Sequence, residues 1–167
     1  MVEEHDNKDA LCAVAHRYYL IACKCLEDDG YVQFVNMVRI QDDEQDDEVP
    51  IIISDNLGNM ITDKDVLQVA MRSLAKRCTW IAQITEAWTL TDPSTYDPTL
   101  AVSQHPDKSE GIYVTVQSRK GTYMIFSVFK RDKERKPLRP TILEEKFVLH
   151  NDSISFLSGR MMNYYHE

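Results

Sequence analysis

Every second residue from Trp80 to Leu90 is apolar except one, and this alternation restricts the fold more than any other feature of the sequence. Because side chains alternate across a β-strand, Trp80, Ile84 and Trp88 belong on the same side. We therefore expect a strand with Ile84 and Trp88 both buried. The exception is Glu86, so the segment predicts a sheet that carries one carboxylate on its apolar face.

Two more strand-like runs follow, at residues 112–117 and 122–129, separated by the sequence Ser118-Arg119-Lys120-Gly121. Four connecting residues that end in glycine are typical of a type I turn followed by a bulge, in which the glycine takes a positive φ. The two runs predict a β-hairpin, and with residues 80–90 they predict a β-meander.

The other elements are predicted from helical spacing and from β-branched or aromatic content. Strands are expected at 31–40, 49–53 and 142–149, and a second helix is expected at 62–78 after the capping-box sequence at Thr62. An amphipathic helix is expected at 9–26, ended by Asp28-Asp29-Gly30, with an apolar stripe of Leu11, Val14, Tyr18, Ile21 and Cys25. A solvated basic connection is expected to contain Lys130, Arg131, Lys133, Arg135, Lys136 and Arg139.

The length and composition of the chain predict a single folded domain over residues 1–167. With 167 residues, 43% hydrophobic and 28% charged, the chain is close to globular averages. The expected fold class is α+β, with two helices packed on one face of a mostly antiparallel five- or six-stranded sheet. The remainder is an acidic loop at 42–48 and a weakly patterned tail at 153–167. No long apolar run and no signal-like start are found, so a cytoplasmic protein without a membrane partner is expected.

Charge is distributed unevenly along the chain. Residues 1–50 contain 13 Asp and Glu against 4 Lys and Arg, a net charge of −9, whereas residues 51–167 have a net charge of +1. This asymmetry favours a protein partner with a basic surface, and it disfavours direct binding to nucleic acid. Self-association with a second copy stays open.

The acidic run at 42–48 is the predicted partner-binding segment. An EF-hand loop that started at Asp42 would need glycine at its sixth position and glutamate at its twelfth, but these positions are Asp47 and Ile53. A calcium loop is therefore excluded, which leaves either a solvated loop or a docking site. The predicted partner-binding residues are Asp42, Asp43, Glu44, Asp46, Asp47 and Glu48.

An alternative catalytic set consists of Glu86, His105 and Asp107. A carboxylate on an apolar face could act as a general base, and His105 lies in a loop amid carboxylates and hydroxyls. The plainer interpretation is that Glu86 pairs with an Arg or Lys from a neighbouring strand, while Asp107 makes local turn hydrogen bonds. The four cysteines are interpreted as reduced thiols without zinc spacing, and the glycines match no phosphate loop, so no metal or cofactor is expected.

The combination of Glu86-Ala87-Trp88, Ser103-Gln104-His105-Pro106, Glu110 and the hairpin resembles a pattern in small uncharacterised bacterial and phage proteins. The resemblance covers residues 65–131 and is attached to no established activity. It implies a phage or mobile-element accessory factor. The leading hypothesis is a non-enzymatic protein-interaction module, an accessory or inhibitory factor that presents an acidic surface to a basic partner. The alternatives are a nucleic-acid mimic that competes for a DNA-binding groove, and a hydrolase-like enzyme centred on Glu86 and His105.

Overall fold

The fold consists of one long helix packed on an antiparallel sheet. A computed structural model describes residues 8–32, 35–40, 51–53, 69, 72–73, 75–76, 78–149, 155–156 and 159–160. The helix is α1 (Lys8–Asp29), and the strands are β1 (Val35–Ile40), β2 (Ile51–Ile53), β3 (Cys78–Leu90), β4 (Lys108–Gln117), β5 (Gly121–Phe129), β6 (Thr141–Leu149), β7 (Ser155–Phe156) and β8 (Gly159–Arg160). Short 3-10 helices occupy Pro93–Thr95 and Val102–Gln104.

The sheet has the strand order β2-β1-β3-β4-β5-β6, and all neighbouring strands are antiparallel. The predicted meander is present, because β3 pairs with β4 and β4 pairs with β5. Ile84 lies opposite Val114, and Val114 lies opposite Ile125, so one apolar face runs across the three strands. Strands β7 and β8 form a separate two-stranded ribbon.

The predicted packing of two helices on one face of the sheet is wrong, although the protein is of the α+β class and the sheet has six strands. Among the described residues, α1 is the helix that packs on the sheet, whose four long strands are β3 to β6, with the short β1 and β2 continuing at one edge. Residues 69, 72–73 and 75 are also helical and lie within the predicted second helix. The 22 residues of α1 extend about 33 Å, the length of a ten-residue strand. One helix is therefore long enough to cover the face of the long strands. Most of the predicted second helix, 62–78, lies outside the described residues.

The buried side of α1 is rotated relative to the predicted stripe. Leu11 and Tyr18 are buried as expected, but the side chain of Ile21 is 47% exposed. Small residues, Ala15 and Ala22, are buried instead, and they let the helix backbone approach the sheet closely. Gly30 ends α1 with a φ of 80° and donates its N–H to the carbonyl of Leu26 at 2.9 Å, as in a left-handed C-cap.

The two tryptophans of β3 have different environments. Trp80 is 4% exposed and packs edge-on against Tyr18, with ring centroids 5.9 Å apart. The burial predicted for Ile84 is confirmed at 4% exposure, but the burial predicted for Trp88 is wrong, since that side chain is 44% exposed. The Lys108 ammonium lies 4.7 Å from the ring centroid of Trp88 and covers one side of the ring.

Gly121 begins β5, and its role differs from the predicted one. The predicted positive φ is absent at Gly121. A Cβ atom at this position would lie 2.5 Å from Cζ of Phe147 on β6. Glycine is therefore required because an aromatic ring from the neighbouring strand packs over its backbone.

Candidate functional site

Glu86 lies on the helix-facing side of β3 and is held by two partners. Its Oε2 accepts a hydrogen bond of 2.7 Å from the backbone N–H of Val32, and its Oε1 lies 3.7 Å from Nη2 of Arg131. The prediction that Glu86 pairs with a basic residue is confirmed, although Arg131 follows β5 and does not belong to a strand adjacent to β3. Both oxygens of Glu86 are therefore engaged in the structure.

Arg131 joins the end of α1 to the sheet. Its Nε lies 2.9 Å from both carboxylate oxygens of Glu110, and its Nη1 donates to the carbonyl of Gly30 at 3.0 Å. The guanidinium also lies 5.4 Å from the ring centroid of Phe129. We call Arg131, Glu86, Glu110, Gly30 and Val32 the Arg131 network. One guanidinium is shared by two carboxylates at 18 to 21% side-chain exposure, and backbone groups of Gly30 and Val32 complete the contacts, which is the arrangement expected of a structural ion-pair network.

His105 and Asp107 lie in different environments. His105 is 5% exposed, and its Nδ1 has no hydrogen-bond partner within the described part of the chain, whereas Asp107 is exposed. Among the described residues, no hydrogen bond or ion pair joins Glu86, His105 and Asp107. The hydrolase-like set of Glu86, His105 and Asp107 stays a prediction, and no contact between its described members supports it.

The predicted partner-binding run lies outside the described residues. Asp42, Asp43, Glu44, Asp46, Asp47 and Glu48 all fall in this segment. The same acidic third of the chain includes the last turn of α1, which is described. Glu27, Asp28 and Asp29 are exposed there, and this last turn contains no basic residue.

A second polar cluster connects the first half of α1 to β6. Cys12, His16 and Glu145 each offer one ligand atom, and these three atoms lie within 4.8 Å of one another. Nε2 of His16 pairs with Oε1 of Glu145, and the hydroxyl of Tyr123 on β5 donates to the same oxygen at 2.6 Å. We call Cys12, His16, Tyr123 and Glu145 the Cys12 cluster.

The electrostatics of the Cys12 cluster favour an ionised carboxylate at Glu145. Burial acts to raise the pKa of Glu145, but hydrogen bonds from Tyr123 and His16, together with the charge of His16, outweigh it and lower that pKa. Burial, followed by hydrogen bonding with Cys12 and Glu145, raises the pKa of Tyr123, so its hydroxyl stays a donor at neutral pH.

Only a partial signal for the Cys12 cluster is present in the sequence. Cys12 and His16 are four residues apart in a predicted helix, a spacing that places two side chains on one face one turn apart. Because the cysteines are interpreted as structural thiols, this pair is not predicted as a site. Glu145 is 129 residues from His16, and only the pairing of β5 with β6 brings it close.

No family model, curated protein or solved structure matches this chain. In the part of the chain that the structure describes, no helix has both the length and the apolar character needed to cross a membrane. The resemblance to small bacterial and phage proteins stays a prediction. A functional proposal for this chain therefore depends on the geometry and the charge of its own residues.

Proposed function

We propose that the chain is a non-enzymatic protein-interaction module that presents an acidic surface to a protein with a basic surface. The observation that carries the proposal is the placement of Glu27, Asp28 and Asp29 in the last turn of α1, a turn whose own sequence contains no basic residue. Lys24 pairs with Asp28 alone, and Arg131 donates to the carbonyl of Gly30 after the turn. The carboxyl end of a helix carries a partial negative charge, so carboxylates there are unfavourable for the isolated protein. A cationic partner would relieve this repulsion.

Only one of the three carboxylates forms an ion pair within the described residues. Lys24 precedes Asp28 by one helical turn, and its Nζ lies 2.7 Å from Oδ1 of Asp28. Glu27 and Asp29 have no ion-pair partner in the described part of the chain. These two side chains are therefore the ones whose charge a basic surface would compensate most.

Apolar side chains lie near these carboxylates on the exposed side of α1 and just after it. Leu20 is 67% exposed, Ile21 is 47% exposed and Tyr31 is 57% exposed. Protein interfaces combine an apolar contact area with a polar rim, and aromatic residues are common in them. The surface at the end of α1 has both components. The acidic run at 42–48 follows in the sequence and adds charge of the same sign.

The enzyme alternative receives less support. Glu86 accepts a hydrogen bond from Val32 and pairs with Arg131, and no contact within the described residues joins it to His105 or Asp107. An accessory or inhibitory role in a phage or mobile element fits a binding module, and it belongs to the same proposal.

The double variant Glu27→Gln/Asp29→Asn tests the proposal at the end of α1. We expect the free protein to melt slightly higher, because repulsion with the helix carboxyl end is reduced. Binding of a fluorescent oligolysine peptide at low salt should weaken roughly threefold, since screened surface charges are each worth a few tenths of a kcal/mol. Fluorescence anisotropy at two salt concentrations gives both the affinity and its salt dependence.

The double variant Asp92→Asn/Asp107→Asn is the matched control, because it removes two exposed charges from the connection between β3 and β4. The amide introduced in place of the Asp92 carboxylate keeps an oxygen that can accept the hydrogen bonds from Ser94. Equal weakening in both double variants would show that only net charge matters, and the proposed surface would then be wrong.

The acidic run is expected to contribute to binding and not to folding. Replacing Asp42, Asp43, Asp46 and Asp47 with Asn should weaken oligolysine binding further, because four negative charges are lost from the same third of the chain. The melting temperature should stay within a few degrees, as is usual for surface substitutions worth about 1 kcal/mol or less. A cooperative loss of the fold, seen by circular dichroism, would contradict this expectation.

A further inference from the structure

We propose that Cys12, His16 and Glu145 form a binding site for one divalent transition-metal ion of the zinc class. The site is independent of the acidic surface proposed above, since it lies on the opposite half of α1 and involves β6. The arrangement of its donors is the primary observation. Cys12 and His16 project from one face of α1, and Glu145 approaches from the sheet, so that one ligand atom of each lies within 4.8 Å of the other two.

The three donors match zinc chemistry. Thiolate, imidazole and carboxylate are the protein ligands that Zn²⁺ uses, and three protein ligands with a fourth position for water are typical of an open zinc site. Harder cations such as Mg²⁺ and Ca²⁺ prefer oxygen ligands alone. The thiol and the imidazole therefore select a transition metal over the cations that an acidic protein binds weakly.

Tetrahedral coordination needs only small side-chain rearrangements. With Zn–S near 2.3 Å and Zn–N or Zn–O near 2.0 Å, the ligand atoms of one thiolate, one imidazole and one carboxylate lie about 3.3 to 3.6 Å apart. The donors that are farthest apart, at up to 4.8 Å, must approach by about 1 Å, whereas Nε2 of His16 and Oε1 of Glu145, which are in direct contact, must separate. His16 and Glu145 have side-chain exposures of 42% and 30%, so their rotamers can adjust without repacking the core.

Tyr123 supplies the outer hydrogen bond that such a site requires. Its hydroxyl donates to Oε1 of Glu145 at 2.6 Å, and this holds the carboxylate in place beside His16. Metal-binding carboxylates are commonly oriented in this way by a second residue. Tyr123 is buried, at 6% exposure, and its ring centroid lies 6.5 Å from that of His16. The packing around this ring therefore restricts the movement of the hydroxyl that contacts Glu145.

A simple ion pair does not explain the whole cluster. His16 and Glu145 alone would suffice to pair α1 with β6, whereas the thiol of Cys12 adds a third donor on the same face. A thiol nucleophile is disfavoured as well. Cys12 is the fifth residue of α1, so its backbone N–H is used within the helix and cannot stabilise an oxyanion. Metal binding uses all three donors, with release of the Cys12 thiol proton to solvent.

Titration of the full chain with Co²⁺ tests the site directly. One equivalent of Co²⁺ should produce intense visible ligand-field bands, as expected for tetrahedral coordination, and a near-ultraviolet thiolate-to-cobalt charge-transfer band. Zn²⁺ should displace the Co²⁺ and raise the melting temperature, because an ion that binds only the folded state stabilises it. Cys12→Ser should abolish the charge-transfer band.

His16→Gln and Glu145→Gln should each weaken the affinity for Zn²⁺, measured against a chromophoric chelator, by about tenfold or more. Cys25→Ser is the matched control, because it removes a partly exposed thiol from the same helix outside the cluster. Circular dichroism shows whether each variant is folded, and the two Gln variants keep the test valid if Cys12→Ser does not fold.

The proposal is overturned if the wild type shows no saturable one-to-one binding. It is also overturned if Cys12→Ser retains the charge-transfer band, or if Cys25→Ser loses it. Weak binding of Zn²⁺ that is removed by Asp42, Asp43, Asp46 and Asp47→Asn, and not by Glu145→Gln, would assign the metal to the acidic run and would likewise overturn it. Oligolysine binding by Glu27→Gln/Asp29→Asn is unaffected by any of these results, so the two proposals can fail separately.

Discussion

The Arg131 network and the Cys12 cluster both join α1 to the sheet, but they differ in how their polar groups are satisfied. Arg131 contacts Glu86, both oxygens of Glu110 and the carbonyl of Gly30. In the Cys12 cluster, His16 and Tyr123 converge on a single oxygen of Glu145, and the thiol of Cys12 stands beside them.

This difference separates a structural role from a chemical one. A guanidinium stays charged at any pH that a protein tolerates, so the cation that joins the end of the helix to the sheet in the Arg131 network is permanent. A thiol, an imidazole and a carboxylate all change protonation state within an accessible pH range, so the Cys12 cluster can exchange protons or ions. Glu86, the polar exception in the alternation from Trp80 to Leu90, belongs to the Arg131 network and therefore to the structural kind of cluster.

Arg131→Met is expected to have the largest effect on stability. It leaves Glu86 and Glu110 close together without a cation, at side-chain exposures of 21% and 18%. The free energy of unfolding should fall by about 2 to 3 kcal/mol, below the range for fully buried pairs because some solvent reaches both carboxylates. Urea unfolding measures it. Lys133→Met replaces an exposed residue of the same connection and should lower the free energy of unfolding much less. An equal decrease in both variants would contradict the structural role of Arg131.

Trp88→Ala is expected to have an intermediate effect. Trp88 lies two positions beyond Glu86 on β3 and borders the Arg131 network, but it is 44% exposed. We expect a loss of about 1 kcal/mol, since the ring buries only part of its area and forms a cation–π contact with Lys108. A loss of about 3 to 5 kcal/mol, the range for a core aromatic residue, would show that this end of the strand is covered. Indole fluorescence of a Trp80→Phe background should report a partly hydrated ring.

Glu145→Gln is expected to have the smallest effect and a distinctive pH dependence. The loss at neutral pH without metal should be below about 1 kcal/mol, because His16 and Glu145 are partly exposed. The folded state lowers the pKa of Glu145 below its usual value of 4.5, so its contribution is present above that value and is lost as the pH falls through the folded pKa.

The measurement is the difference in unfolding free energy between wild type and Glu145→Gln over a pH series. The difference should shrink as the pH falls below about 4.5, because Glu145 is then progressively protonated in both the folded and the unfolded state. A difference that grows as the pH falls below about 4.5 would reverse the sign and would contradict the lowered pKa of Glu145.

Sequence periodicity predicts the elements whose residues contact near neighbours in the chain. The alternation from Trp80 to Leu90 predicts β3 and the side of Glu86, and the run 112–129 predicts the hairpin. Periodicity does not reveal that Trp88 is exposed while Trp80 is buried, because that difference depends on tertiary packing against the sheet.

The polar clusters are harder to predict because their members are distant in sequence. Arg131 is expected, with its basic neighbours, in a solvated connection, yet it is 101 residues from its partner Gly30. Gly121 is expected in a turn conformation, whereas the approach of Phe147 explains it. In each case a residue distant in the chain decides the role, and single-sequence patterns do not record such pairings.

The order of α1 and its partner strands along the chain has a consequence for folding. Its buried stripe, within residues 11–26, packs on β4 and β5, which lie at residues 108–129. During synthesis, the helix emerges from the ribosome well before the strands that cover it. The apolar residues of the helix therefore lack their partner strands until about 100 more residues have been translated, which takes several seconds at ordinary synthesis rates.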